Sequence, residues 1–119
     1  MTKKTGNASV LNTEFDKDLL CRYRVYCKNL GYPMNILIEV FMQQTIDGKF
    51  HISEESIEKW KDSKAKEKSV LNTTFNKEIY NNFKEYCKDN NYFLKHTIAS
   101  FMEEIIEDKY KLVFEKKCS

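Results

Sequence analysis

Ser9-Val10-Leu11-Asn12-Thr13-Glu14-Phe15 returns 60 positions later as Ser69-Val70-Leu71-Asn72-Thr73-Thr74-Phe75, with a single replacement of Glu14 by Thr74. At that offset the match continues without a gap. Lys17 meets Lys77, Tyr26-Cys27-Lys28 meets Tyr86-Cys87-Lys88, and Tyr32 meets Tyr92. Further on, Ile38 meets Ile98, Phe41-Met42 meets Phe101-Met102, and Ile46 meets Ile106. Self-similarity at one fixed period marks a duplicated structural unit, here of about forty residues.

Both copies follow one grammar. A short β-prone segment places Leu11, Thr13 and Phe15 on one face and Val10, Asn12 and Glu14 on the other, because strand side chains alternate. Asp16, or Asn76 in the second copy, stands where a helix N-cap belongs. Helical periodicity follows in Leu19, Tyr23, Tyr26, Cys27 and Leu30, echoed by Ile79, Phe83, Tyr86 and Cys87. Gly31 suits the left-handed position that closes a helix, and Asn91 is the next best residue for it. A second helix carries Leu37, Ile38, Phe41 and Met42 on its apolar side, matched by Ile98, Phe101, Met102 and Ile105.

The expected organisation is an arm over 1–7, a first repeat over 8–46, a linker over 47–67, a second repeat over 68–110 and a tail over 111–119. Within the linker, Asp47-Gly48 signals a turn and Ser53-Glu54-Glu55 a capped helix start. Ile57, Trp60 and Lys61 give that short helix one apolar strip, and Lys64-Ala65-Lys66-Glu67-Lys68 reads as a solvated link.

Composition narrows the classes. The 119 residues include 20 Lys plus Arg and 18 Asp plus Glu, a formal net charge of +2. An aromatic content of 13% argues against global disorder. No apolar run approaches a membrane span, and no signal peptide opens the chain, so a cytoplasmic protein is expected. Cys21, Cys27, Cys87 and Cys118 form no close ligand pairs, so they read as core thiols rather than zinc ligands. His51 and His96 occupy unmatched positions, and no phosphate loop, nucleophile motif or metal signature appears. No catalytic residue, metal, cofactor or small-molecule substrate is expected, and the protein is not expected to be an enzyme.

One strand and two helices bury too little surface to stand alone, and a lone strand leaves a bare edge. The copies must share a core, within one chain or between chains. The linker permits the first arrangement, which we expect: a fold that is mainly α with a short two-stranded antiparallel β-ribbon over four helices.

Strand, helix, Gly turn and helix, present twice, resembles the ribbon-helix-helix family of DNA-binding proteins, typified by the Arc, MetJ and CopG repressors. Two repeats in one chain, forming a pseudo-dimer, resemble the TraY-type arrangement. The resemblance covers Ala8 to about Ile46 and Lys68 to about Ile106. It implies that the ribbon enters the major groove of double-stranded DNA and that outward strand residues touch bases. By position these are Val10, Asn12, Glu14, Val70, Asn72 and Thr74. Their chemistry suits the task. An amide pairs bidentately with adenine, a carboxylate accepts from cytosine N4, and small apolar groups meet the thymine methyl. Asn is depleted in strands, which singles out Asn12 and Asn72. Because Thr74 replaces Glu14, the expected operator or origin site is an imperfect repeat.

The family also grips phosphates with the first amides of its second helix, where N–H groups and the helix dipole attract anions. The matching positions are Met34, Asn35, Leu94 and Lys95, preceded by Pro33 and Phe93 where the family often has a hydroxyl. Lys3, Lys4, Lys17, Lys68 and Lys77 flank the strands or open the first helices and are further phosphate candidates. Residues 1–30 carry six basic side chains against three acidic ones, so charge leans toward this end. The implied role is a small transcriptional repressor or a plasmid DNA-processing accessory factor of the relaxosome or partition type, with self-association on adjacent sites. The competing class is an antitoxin-like interaction module that neutralises a partner protein, using the linker around Trp60 or the tail.

Overall fold

Alternation along the two repeated heptapeptides builds the structure's organising surface. The computed structural model describes residues 8–61 and 67–107. β1 (Ala8–Asp16) and β2 (Lys68–Asn76) pair antiparallel within the chain, in a register that sets Asn12 opposite Asn72. Leu11, Phe15, Leu71 and Phe75 point inward and are buried, while Thr13 and Thr73 are half-buried. A slip of one residue would exchange these faces, so burial of the two Leu–Phe pairs holds the register.

Each strand runs directly into a helix: α1 (Lys17–Leu30) after β1, and α4 (Lys77–Asp89) after β2. The expected caps form. Asp16 accepts from the Leu19 amide at 3.0 Å and Asn76 from the Ile79 amide at 3.1 Å. Gly31 has φ +80° and Asn91 has φ +61°, so the same repeat position is left-handed in both copies. The Tyr32 and Tyr92 amides then bond back to the Cys27 and Cys87 carbonyls at 3.0 and 2.8 Å. A Cβ at Gly31 would meet no atom within 4 Å, so Gly31→Ala is expected to cost only the backbone term, about 1–2 kcal/mol. Urea unfolding measures it, and Asn91→Gly should move stability the other way.

α2 (Met34–Ile46) and α5 (Leu94–Ile106) complete the repeats, and packing crosses between copies: α1 lies against α5, and α2 against α4. The central core joins Leu37, Ile38, Phe41 and Met42 to Ile98, Phe101, Met102 and Ile105. The first helices differ in detail from their expected stripe. Leu20 and Tyr80 are buried, whereas Leu30 is 46% exposed. Leu30 is the last residue of α1 and its counterpart Asn90 follows α4; both are exposed.

α3 (Glu54–Lys61) changes the reading of the linker. It is anchored in the core by Ile57, and the approach to it buries Phe50 and Ile52. Its N-terminus is capped as expected, with Ser53 Oγ accepting from the Ser56 amide at 3.2 Å. It lies on α5, where Ser100 donates to Ser56 at 2.8 Å and Trp60 Nε1–H donates to Glu103 Oε1 at 2.9 Å. This cover explains why α5 is buried at Thr97, Ala99, Ser100 and Glu104 as well as along its apolar side. The charged link over 62–66, the arm over 1–7 and the tail lie outside the described residues.

Glu103 holds this junction together. Burial pushes its carboxyl up, but hydrogen bonds from Lys59 and Trp60, the Lys59 charge and Ser56 outweigh that and hold it below the ordinary value. A depressed folded-state pKa contributes stability above the unfolded-state value, and that contribution disappears as pH falls through the folded value. Glu103→Gln should cost about 1–2 kcal/mol at neutral pH, discounted for the exposed Lys59. It should also flatten the acid limb of a stability–pH curve, and an unchanged limb would exclude the junction as its source.

Candidate nucleic-acid interface

The outer face of the ribbon presents all six strand residues singled out in the sequence. Val10, Asn12, Glu14, Val70, Asn72 and Thr74 are exposed, with Val10 at 63% and Val70 at 50%. The register sets Val10 against Thr74, Asn12 against Asn72 and Glu14 against Val70. Equivalent asparagines of the two copies therefore meet at the middle of the ribbon, and the pairs on either side are chemically unequal. Two exposed valines on a strand face have no buried surface to serve, and with the two amides they form a mixed apolar and hydrogen-bonding surface.

The helix starts flank this surface. Pro33 and Phe93 precede α2 and α5 in extended conformation and give no side-chain cap. The first amides of each helix have no acceptor within the helix. Met34 and Leu94 are half-buried against the core, and the Met34 carbonyl accepts from Tyr23 Oη at 2.5 Å. The Asn35 side chain turns onto the ribbon and donates to the Thr74 carbonyl at 2.8 Å, leaving its helix-start amide as the group a phosphate could meet. Lys95 is exposed at the matching position of α5.

Among the flanking lysines, Lys17 opens α1 and lies 3.6 Å from Glu67, Lys68 opens β2 opposite Asp16, and Lys77 opens α4; all three are exposed. Lys3 and Lys4 lie outside the described residues.

No protein-family model, curated protein or solved structure matches the chain.

The cysteines divide. Cys27 and Cys87 are buried, and burial, against a hydrogen bond with Thr97, pushes the Cys87 thiol up to about 11. Cys21 is exposed and so departs from the core reading, because it sits on the solvent side of α1 between the buried Leu20 and Tyr23. Cys118 lies outside the described residues. Among the described residues no group of His, Cys, Asp and Glu gathers to hold a metal, and no helix is long and apolar enough to cross a membrane.

Two residues beside this interface were given no binding role in the sequence reading. Phe93, at the α5 start, is 65% exposed and meets the His96 ring edge-on at 5.4 Å. His96 is half-buried, and its imidazole is pushed down by burial first and then by the charges of Lys95 and Lys61, with Glu58 opposing. His96 replaces Ile36 of the first copy; Phe93 and Lys95 are its neighbours along the chain, whereas Lys61 and Glu58 arrive from α3.

Proposed function

We propose that the chain binds double-stranded DNA sequence-specifically, with the β1–β2 ribbon in the major groove, as a ribbon-helix-helix pseudo-dimer formed by two repeats of one polypeptide. The observation that carries this reading is the opposed pair Asn12 and Asn72, exposed at the centre of a ribbon whose other outward residues are also free to meet base edges. A two-stranded ribbon fits the major groove, and an amide there pairs with adenine N6 and N7. Helix-start amides and lysines on either side would position the duplex without reading it. The protein acts by occupancy, without catalysis, as a small repressor or as an accessory factor in plasmid DNA processing.

The competing role as a toxin-neutralising module draws no support from α3. The segment around Trp60 that could wrap a partner is docked on α5 by Ile57, Trp60 and Ser56.

Selection of bound duplexes from a random library at near-physiological salt tests the proposal, with Asn12→Ala and Asn72→Ala alongside. Enrichment of one imperfect repeat, relaxed at separate positions by each variant, is expected. Weak enrichment with no effect of either variant would remove the ribbon as a reading head.

A further inference from the structure

The repeat does not stop at the end of its second helix. At the offset of 60, Asp47-Gly48-Lys49-Phe50-His51-Ile52 continues as Glu107-Asp108-Lys109-Tyr110-Lys111-Leu112. An acidic residue, a lysine, an aromatic ring and an aliphatic side chain keep their places. The two helices also end alike. Asp47 leaves α2 at φ −79°, ψ −2° and Glu107 leaves α5 at φ −78°, ψ −2°. Their amides donate to the Gln43 and Glu103 carbonyls at 2.9 and 3.0 Å. The chain thus departs from both copies in the same local geometry. Past Glu107 it lies outside the described residues, and the sequence alone continues the pairing.

The first departure leads inward. Phe50 and Ile52 are buried with the exposed His51 between them, the alternation of an extended segment. The Phe50 ring lies 5.0 Å from Phe41 and 5.8 Å from Phe101. Phe41 and Phe101 are equivalent residues 5.6 Å apart, so exchanging the copies would set Tyr110 against the same two rings. Further on, the segment reaches α5 and the turn before it. Tyr92 donates to Glu54 at 3.2 Å and Ser100 to Ser56 at 2.8 Å. Asn90 and His96 line one groove with Ile57.

The equivalent face of the first copy is Leu30, Tyr32, Ile36 and Val40, in which Leu, Ile and Val stand for Asn90, His96 and Ser100. Its would-be cover has changed in the same sense, since Val113 and Phe114 stand for Ser53 and Glu54. Polar groups meet polar groups on α5, and both sides become apolar together for α2. Such a matched change is what contact between the two would require, because a segment that buries apolar surface must itself be apolar there.

We infer that the segment after Glu107 docks on the first repeat, with Tyr110 against Phe41 and Phe101 and Leu112 to Phe114 across the Tyr32–Ile36–Val40 face of α2. Each second helix is then covered by the chain that leaves the other. This docking is independent of the DNA-binding reading, because the ribbon takes no part in it. It gives the tail a place within the molecule instead of in the groove of a partner protein.

Nuclear Overhauser contacts in the full chain test the docking. Contacts from the Tyr110 ring to Phe41 and Phe101, and from Phe114 to the Ile36 and Val40 methyls, are expected. They should be missing from spectra filtered for contacts between labelled and unlabelled chains. Tyr110→Ser/Phe114→Ser should lower Tm by about 5 °C or more. Tyr110→Phe, which restores the residue of the first copy, and Lys111→Ser, at the counterpart of exposed His51, should each stay within about 2 °C of wild type. Contacts found only between chains would overturn the inference and make this face an interface between copies. Absence of all these contacts, with Tm unchanged in the double variant, would overturn it outright. Should the double variant fail to fold, the wild-type contacts decide alone.

Discussion

Phe101→Ala is expected to lower the free energy of unfolding by about 3–5 kcal/mol, the range for truncating a fully buried aromatic ring. Phe101 is 0% exposed, and its ring lies 5.6 Å from Phe41, 5.8 Å from Phe50 and 5.4 Å from Phe83. Those neighbours belong to α2, to the segment before α3, and to α4, so the cavity would open where both copies and the linker converge. Three separately anchored walls cannot close together on it, which places the cost toward the upper end. Domains of this size have about 5–15 kcal/mol in total, so the variant would be close to unfolding at ambient temperature. Urea denaturation should show a lower midpoint with an unchanged slope. A loss below about 1 kcal/mol would mean that the three rings are not a shared core.

The second large effect is on recognition rather than stability. Asn12→Ala/Asn72→Ala should leave folding within about 0.5 kcal/mol of wild type, because both side chains are exposed. On DNA, each lost bidentate contact should remove about 1–3 kcal/mol of discrimination. The two residues face one another in the ribbon, and adjacent side chains need not contribute independently. A double-mutant cycle on the selected duplex therefore carries more information than either single variant. The salt dependence should stay at the wild-type value, since no phosphate contact is touched. An unchanged selection profile in the double variant would exclude amide readout, whereas a steep loss of affinity on every sequence would point to a damaged ribbon.

The repeat was legible because its signals are short-range. Alternation in Val10–Phe15, the caps at Asp16 and Asn76, and the left-handed closures at Gly31 and Asn91 each depend on neighbours a few positions away. Residues such as Phe50 and Ile52 were not legible as core. They lie in a charged, turn-containing segment with no periodicity, and Phe50 owes its burial to tertiary packing that includes Phe41 and Phe101. Cys21 misled for the complementary reason: its residue type favours the interior, but its place on α1 faces solvent.

The sequence by itself determined the duplicated unit, its strand–helix–helix order and the two faces of each strand, since backbone geometry imposes periods of 2 and 3.6 wherever side chains are patterned to match. Tertiary structure alone decided what lies side by side. It paired the strands within one chain, set Asn12 against Asn72, laid α3 over α5, and brought Phe50 against Phe41 and Phe101. Such juxtapositions arise from long-range packing between elements, and local spacing in the chain does not encode them.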